Sequence, residues 1–428
     1  MKKILSIVWP AQAVITESLF RHFSMMAEVA GYLEEHSKVI KQLNFSVVIE
    51  DCAVVSHTAM NMAQIARKSD VIAIAINMNN VREAVNTATF IKSVDINKTI
   101  IAYGEAIACG SDFFSKQSVF DYIVDGGQFE IGLDVALCLT YDMDFSSYLP
   151  YCNVAGISIA GKTIQIHNDV ILPEALWGVP QLDLLPLSEY YRIGNHELHI
   201  TACKGCPFNC EFCNEVYVST NNLRYRPVKQ VVDYLTIAAN DYKAKSVYLD
   251  ASTFTYDKNW VRSLCNELIA TNRPIVPWKT CTRLDCLDED LIMLMGEAGC
   301  NRISIGIESI SEDIQKRNKK IIDLEKLKIF AKTCAKSGII PRALLIIGLD
   351  GQSSQEISIA HTMLTEIGIQ TRFRVLQDFR FMLKKSDLSL NDFEVLNRWL
   401  VNSPFDDIDI NAIRQLEYPP ERTETNFP

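Results

Sequence analysis

A chain of 428 residues, 48% apolar and 22% charged, is long enough for two or three domains with cores of their own and needs no disulfide staples. Its 42 basic and 52 acidic residues give a net charge of −10, with no dense Lys/Arg stripe to track a phosphate backbone, which argues against a nucleic-acid partner. Thirteen cysteines are scattered through apolar segments, with no secretory h-region and no long apolar run, so the expected setting is cytoplasmic, with reduced thiols and no membrane span.

From Lys3 to about Thr140, apolar strands at Ile4–Trp9, Phe45–Glu50, Val71–Ile76, Thr99–Tyr103 and Tyr122–Val124 alternate with helical patterns at Glu17–Glu35, Ala59–Arg67 and Val81–Val94. Val- and Ile-rich runs without polar alternation suit a parallel sheet covered on both faces, so residues 1–140 read as an α/β, doubly wound domain. Such sheets bind ligands at the carboxyl ends of their strands. That puts the loops beginning at Pro10, Asp51, Asn77 and Gly104 on the rim. Residues 141–198 read as a connector, with a hairpin turn at Gly161-Lys162 and an extended stretch through Pro173, Pro180 and Pro186. His196 and His199 have a spacing that could suit a metal, although two such histidines are more often ordinary surface residues.

The next segment is Lys-Gly-Cys-Pro-Phe-Asn-Cys-Glu-Phe-Cys, which places Cys206, Cys210 and Cys213 in a CxxxCxxC loop. Three thiolates can hold a 4Fe-4S cluster and leave its fourth iron open. Adding Cys203 gives the alternative of a four-thiolate zinc site and a non-enzymatic binding protein, but zinc ribbons usually set their cysteine pairs on separate hairpins well apart in sequence.

A second alternation runs over residues 199–378. Its strands are placed at His199–Thr201, Ser246–Asp250, Ile275–Lys279, Arg302–Glu308, Arg342–Gly348 and Arg372–Val375. Its helices are placed at Val228–Asn240, Trp260–Ala270, Glu289–Ala298, Leu324–Ser337 and Gln355–Ile367. Six such units make a partial (β/α)6 barrel, whose chemistry lies at the carboxyl ends of the strands, where the cysteine loop falls. Residues 379–428 read as a short C-terminal cap with a helical pattern near Leu390–Leu400 and an extended Pro-rich finish. No cysteine follows Cys334 to serve a second cluster.

The cysteine loop and the barrel after it resemble the radical SAM (S-adenosylmethionine) enzymes. In that family the open iron binds the amino and carboxylate groups of SAM, and an electron from the cluster cleaves SAM to methionine and a 5′-deoxyadenosyl radical. The resemblance implies that Phe212 packs near the adenine and that Asp250 and Ser252, within Tyr248–Phe254, meet the amino group. It implies that Arg283 grips the SAM carboxylate and that Glu308 and Ser309, at the end of Ala298–Ser309, meet the ribose hydroxyls. Ile346–Gln352 resembles the turn beside the adenine, with Asp350 where proline is common. A carboxylate suits two hydroxyls, and a guanidinium fork suits a carboxylate, whereas an isolated Glu or Arg at a strand end is usually a solvated charge or a structural ion pair. Cys281, Cys286 or Cys300 could donate hydrogen to a substrate radical, with core packing as the ordinary alternative.

The N-terminal half resembles the cobalamin-binding domain that precedes the barrel in one branch of that family, and Leu223–Pro227 is similar to the arginine-rich turn of the same branch. Two departures stand out. The Asp-x-His-x-x-Gly motif is absent, His57 being followed by Thr-Ala-Met, and Tyr103-Gly104-Glu105 replaces a Gly-Gly pair. Bound cobalamin and a purely structural domain therefore both stay open. The implied function is hydrogen abstraction from a small polar substrate of a biosynthetic pathway, such as that of a natural product, with methyl transfer if cobalamin is bound. Without cobalamin the implied outcome is dehydration, epimerisation or rearrangement. An electron donor such as flavodoxin or ferredoxin is implied, and no catalytic residue is assigned.

Overall fold

The computed structural model describes residues 2–10, 21–55, 58–156, 161–167, 176–213, 215, 223–271, 273–377, 382, 385 and 387–398. The chain divides into two units. The first holds residues up to Ile193 together with the described residues of 214–222 and 378–397, and the second holds Gly194–Cys213 and Leu223–Gln377. The loop after Pro10 and the Pro-rich finish expected at the C-terminus lie outside the described residues.

In the first unit, strands β1 (Lys3–Trp9), β2 (Phe45–Asp51), β3 (Val71–Ala75), β4 (Thr99–Tyr103) and β5 (Tyr122–Asp125) pair in parallel. A hairpin forms in the expected connector from β6 (Cys152–Ala155) and β7 (Lys162–Ile166), but Lys162, expected in its turn, already belongs to β7, and the hairpin joins the sheet through β7 against β5. The order is β2-β1-β3-β4-β5-β7-β6, so the direction of winding reverses between β1 and β3. Central β3 is buried at all five positions, as a strand covered on both faces must be. Helix Phe129–Thr140 is buried from Phe129 to Cys138, and its fully buried Asp134 accepts hydrogen bonds from Ser37 and Tyr148.

Helix Leu390–Arg398 packs into this same unit through Phe393, which is buried with its ring centroid 5.1 Å from Phe113 and 5.8 Å from Phe114. Helical periodicity alone could not reveal this, because the partners lie some 280 residues away in sequence.

The second unit is a six-stranded parallel sheet in the order β15-β14-β13-β12-β11-β8. Its strands are β8 (Glu197–Thr201), β11 (Ser246–Asp250), β12 (Trp278–Thr282), β13 (Cys300–Glu308), β14 (Ile340–Ile347) and β15 (Gln370–Val375), with the short ribbon β9 (Cys203–Lys204) and β10 (Arg224–Tyr225) between β8 and β11. Each successive strand lies beside its predecessor, as in the partial barrel expected. Expected at Ile275–Lys279, the third strand instead occupies Trp278–Thr282: Pro274 and Pro277 have no N–H to give a ladder. Helix starts are encoded locally. Asp257, Asp288 and Asp323 cap their helices, and Ser353 with Glu356 forms a capping box.

Strand alternation sorts the faces. Leu198, Ile200, Val247, Leu249, Ile303 and Ile305 are fully buried on the face toward the helices. The opposite, inner face carries polar side chains, among them Glu197, His199, Asp250, Lys279, Arg302 and Arg342. No helix of the described residues is long and apolar enough to cross a membrane.

Truncating Phe393 to Ala should destabilise the first unit by about 3–5 kcal/mol, the usual cost of emptying a buried aromatic site. Urea unfolding followed by circular dichroism would show the midpoint fall. An unchanged midpoint would mean that the helix contributes nothing to this core.

Candidate functional site

The cysteine loop leaves the carboxyl end of β8 through β9, where Cys203 pairs across the ladder with Tyr225 and is buried. Gly205, at φ +91°, then turns the backbone in a conformation that side chains disfavour. Cys206 is buried, and Cys210 and Cys213 are half-buried. The loop closes on itself where the Cys213 N–H donates to the Cys210 carbonyl at 3.1 Å. It is tied to the segment after β13 by the Glu211 N–H donating to the Asn318 carbonyl at 3.4 Å and by an ion pair between Glu211 and Lys319.

Two of the thiols have polar neighbours from other strand ends. Thr253 Oγ1 lies 3.5 Å from Cys206 Sγ, and Arg283 Nη1 donates to Cys210 Sγ at 3.4 Å. Among the described residues, no three His, Cys, Asp or Glu side chains are gathered tightly enough to chelate one metal ion. A 4Fe-4S cluster takes its thiolates on separate irons, and donors to sulfur tune it. Three cysteines on one loop, two of them contacted by N–H or O–H groups, are a donor set that fits such a cluster.

Arg283 is held firmly. Its Nε and Nη2 donate to Asp285 at 2.9 and 2.6 Å, and its guanidinium lies 3.8 Å from the centroid of the Phe208 ring. Expected as a grip for the SAM carboxylate, it has most of its fork engaged here, with Asp285 and Cys210.

Glu308 ends β13 at a register shift against β14, between Gly306 and Glu308, and adopts φ +64°. Such bulges re-aim a side chain, and this one costs about 1–2 kcal/mol of backbone strain. The carboxylate accepts from Lys320 Nζ at 2.8 Å, and that ammonium lies 5.6 Å from the Phe212 ring centroid. Gly306 makes the space: a Cβ there would stand 2.3 Å from Glu308 Oε1 and 2.5 Å from Lys320 Nζ. Burial alone would lower the Lys320 ammonium, but Glu308, together with Cys210, outweighs burial and holds it above the ordinary lysine value. Lys320, Thr253 and Phe208 were not singled out from the sequence. Lys320 sits in the ordinary-looking run Asn318-Lys319-Lys320, and nothing local marks which lysine turns inward.

The structure thus gathers Cys206, Cys210, Phe212, Arg283 and Glu308 through short contacts, and does less with the other candidates. Ser252 is exposed, while its neighbour Thr253 faces Cys206. Ser309 is buried in a turn, its Oγ accepting from the Ser311 N–H and its carbonyl from Gln315. Asp250 bonds His199 Nδ1 at 2.9 Å, and His199 is buried and stacked on Tyr248 rather than lying on the surface. Cys300 is fully buried, its thiol directed to the Arg302 carbonyl at 3.6 Å.

Toward the amino ends of these strands lies a charged layer. Glu197 accepts from Ser246 at 2.7 Å and from Lys279, with Arg302 Nη2 at 4.0 Å. Burial by itself would raise the Glu197 carboxyl, but Lys279, His199 and the hydrogen bonds from Lys279 and Ser246 outweigh it and hold the group down to about 2. Lys279 does not mirror its partner: burial, helped by Arg302 and Arg342, lowers it despite Glu197. Because Glu197 is depressed below its ordinary 4.5, its contribution is complete above about pH 4.5 and is lost as pH falls toward 2. Glu197→Gln should remove about 3 kcal/mol at pH 7 and flatten the acid limb of stability against pH. An unaltered acid limb would contradict this assignment.

Residues 200–363 match the sequence profile of the Radical SAM superfamily. An uncharacterised methyltransferase of Pyrococcus horikoshii is 28% identical over 180 residues, 42% of this chain and 39% of that protein. The cytidylyl-2-hydroxyethylphosphonate methyltransferase of Streptomyces wedmorensis is 26% identical over 190 residues, 42% of this chain and 35% of that protein. The matched part thus spans little more than a third of these relatives' length. Among solved structures, the radical SAM methyltransferase TsrM of Kitasatospora setae, with cobalamin and a 4Fe-4S cluster bound, superposes with a TM-score of 0.66 at 14% identity, covering 88% of this chain and 72% of that one. At that identity the likeness is one of fold, and it takes in both the doubly wound sheet and the partial barrel. Profile, strand order and cysteine loop agree that residues 200–363 form a domain of the radical SAM superfamily.

Proposed function

We propose that this chain is a cobalamin-dependent radical SAM methyltransferase acting on an unactivated carbon of a small polar substrate. The observation that carries the reading is the convergence of the three-cysteine loop with two cations, Arg283 at Cys210 and Lys320 at Glu308. Cys206, Cys210 and Cys213 would hold the 4Fe-4S cluster, which when bound supplies the electron that cleaves SAM.

The remaining roles fall to the chain's own side chains. Arg283, clamped by Asp285 and Phe208, positions the loop and balances thiolate charge at Cys210. Glu308 has carboxylate lone pairs for the ribose hydroxyls. Lys320 gives one of its three ammonium donors to Glu308 and keeps others for the SAM carboxylate. Phe212, beside Lys320, offers an apolar wall for the adenine.

Support for cobalamin comes from the first unit. Its winding reverses between β1 and β3, and doubly wound sheets take their ligands at the carboxyl ends of the strands around such a reversal. The Asn77–Asn80 turn and Gly104 follow β3 and β4 at those ends, and the buried hydroxyl of Tyr103 at the end of β4 has no hydrogen-bond partner among the described residues. Unsatisfied buried polar atoms are uncommon and are often explained by a missing ligand or water. When bound, cobalamin would supply the methyl group. The two relatives named as methyltransferases add weight to this outcome over dehydration, epimerisation or rearrangement.

Anaerobic reconstitution with iron, sulfide and hydroxocobalamin, followed by desalting and metal analysis, should give about four irons per chain with retained cobalt. Iron without cobalt would remove the methyltransferase reading and leave the radical one, and zinc alone would overturn both. Ala at Cys206, Cys210 or Cys213 should abolish iron binding, whereas Cys203→Ala should retain it. An equal loss from Cys203→Ala would mean four-thiolate binding. Glu308→Gln or Lys320→Met should weaken SAM binding about tenfold or more, with iron unchanged. Equilibrium dialysis with labelled SAM measures this, and an unaltered affinity would remove both residues from the SAM site.

A further inference from the structure

The inner face of the second unit contains a buried guanidinium with nothing to bond. Arg302 is 8% exposed, yet among the described residues its side chain makes no hydrogen bond. Its nearest carboxylate oxygen, Glu197 Oε2, stands 4.0 Å from Nη2, and its Nε is shut from solvent without a partner. That oxygen is already committed to Lys279 and Ser246. A guanidinium carries five N–H donors, and leaving a buried charged group unbonded is costly.

The groups facing this space are Glu197, His199, Asp250, Lys279, Arg302 and Arg342, with His199 and Asp250 bonded to each other. One carboxylate, Glu197, therefore serves both Lys279 and Arg302. The side chains of Glu197, Lys279 and Arg302 retain 10, 13 and 10% exposure, so each keeps some contact with solvent.

We infer that Arg302 and Lys279 form an anion subsite that takes a carboxylate or phosphate group of the substrate. Two oxygens of a carboxylate or of a phosphate match the guanidinium fork in a two-bond geometry, and Lys279 adds a point charge beside it. The subsite lies on the strands that also carry Arg283 and Glu308. Lys279 precedes Arg283 by four residues, about 13 Å along an extended strand. The ligand's anion would sit deep, with the rest of the molecule directed toward the cysteine loop. Calling the ligand a substrate rests on the function proposed above, whereas the subsite itself does not. A purely structural layer would have brought Arg302 within hydrogen-bond distance of Glu197, which it meets only as an ion pair at 4.0 Å.

The test uses the full chain with its cluster reconstituted. Its thermal midpoint is followed by circular dichroism at constant ionic strength in sodium chloride, with acetate or inorganic phosphate added in turn. One of the two should raise the wild-type midpoint by about 2–4 °C at saturation, and the anion that does so identifies the substrate's charged group as carboxylate or phosphate. Arg302→Met should abolish that rise, while its own midpoint in chloride stays at or above wild type, because the substitution removes a buried charge that has no hydrogen bond. Arg302→Lys, which keeps a charge, should retain a smaller rise. The inference fails if neither anion raises the wild-type midpoint, if the rise persists in Arg302→Met, or if Arg302→Met melts several degrees below wild type in chloride. Formation of 5′-deoxyadenosine by the wild type is assayed separately. Its absence would overturn the proposed function and leave the anion result standing, and an anion-insensitive protein that cleaves SAM would overturn only this inference.

Discussion

On binding the cluster proposed for it, a loop of three cysteines would gather negative charge at one end of a sheet, and the second unit is arranged to meet that charge. Arg283 and Lys320 reach it from different strand connections, one donating to Cys210 and the other to Glu308 with Cys210 in its field. Neither cation is loose: Asp285 and Phe208 clamp the first, and Glu308 beside Phe212 holds the second. Preorganised charge of this kind costs no reorganisation at the moment of reaction, which is the main thing a protein adds to cofactor chemistry.

The fold makes this convergence possible because parallel strands deliver their carboxyl ends to one rim. Thr253, Arg283 and Glu308 follow or end three successive strands, and the cysteine loop follows the neighbouring one. Where regular geometry would point a side chain elsewhere, the chain accepts strain. The shift between Gly306 and Glu308 and the positive φ of Glu308 put its carboxylate against Lys320, in space that only glycine at 306 leaves open. The same strands bury a cationic layer at their other ends, so the inner face carries charge along its length.

Much of this was legible because it repeats. Ser246–Asp250, Val228–Asn240, Thr99–Tyr103 and Val81–Val94 have the bounds expected from apolar runs and caps. The cysteine loop was legible because metal ligation demands a residue type at a fixed spacing. What escaped depends on contacts distant in sequence or on one-residue offsets. Ser252 is the residue the resemblance points to, but it and Thr253 lie in a bend beyond the end of β11, where strand alternation no longer sorts the sides, and it is Thr253 that meets Cys206. The third barrel strand slid past two prolines. His199 looked like a surface residue until its partners Asp250 and Tyr248, some 50 residues on, were brought beside it. Lys320 and Phe393 follow the same logic: a charge and an aromatic ring, each ordinary in its own segment, acquire meaning from residues that the topology returns to them.

The proposed function requires Cys206, Cys210 and Cys213 to hold a cluster with one iron open to SAM. The electron paramagnetic resonance spectrum of the one-electron-reduced protein, recorded with and without SAM, tests it most directly. The expected result is a reduced 4Fe-4S signal whose g-values shift when SAM is added, as they would if SAM reached the open iron. A cluster signal indifferent to saturating SAM, or no cluster signal from protein that has taken up zinc, would contradict it.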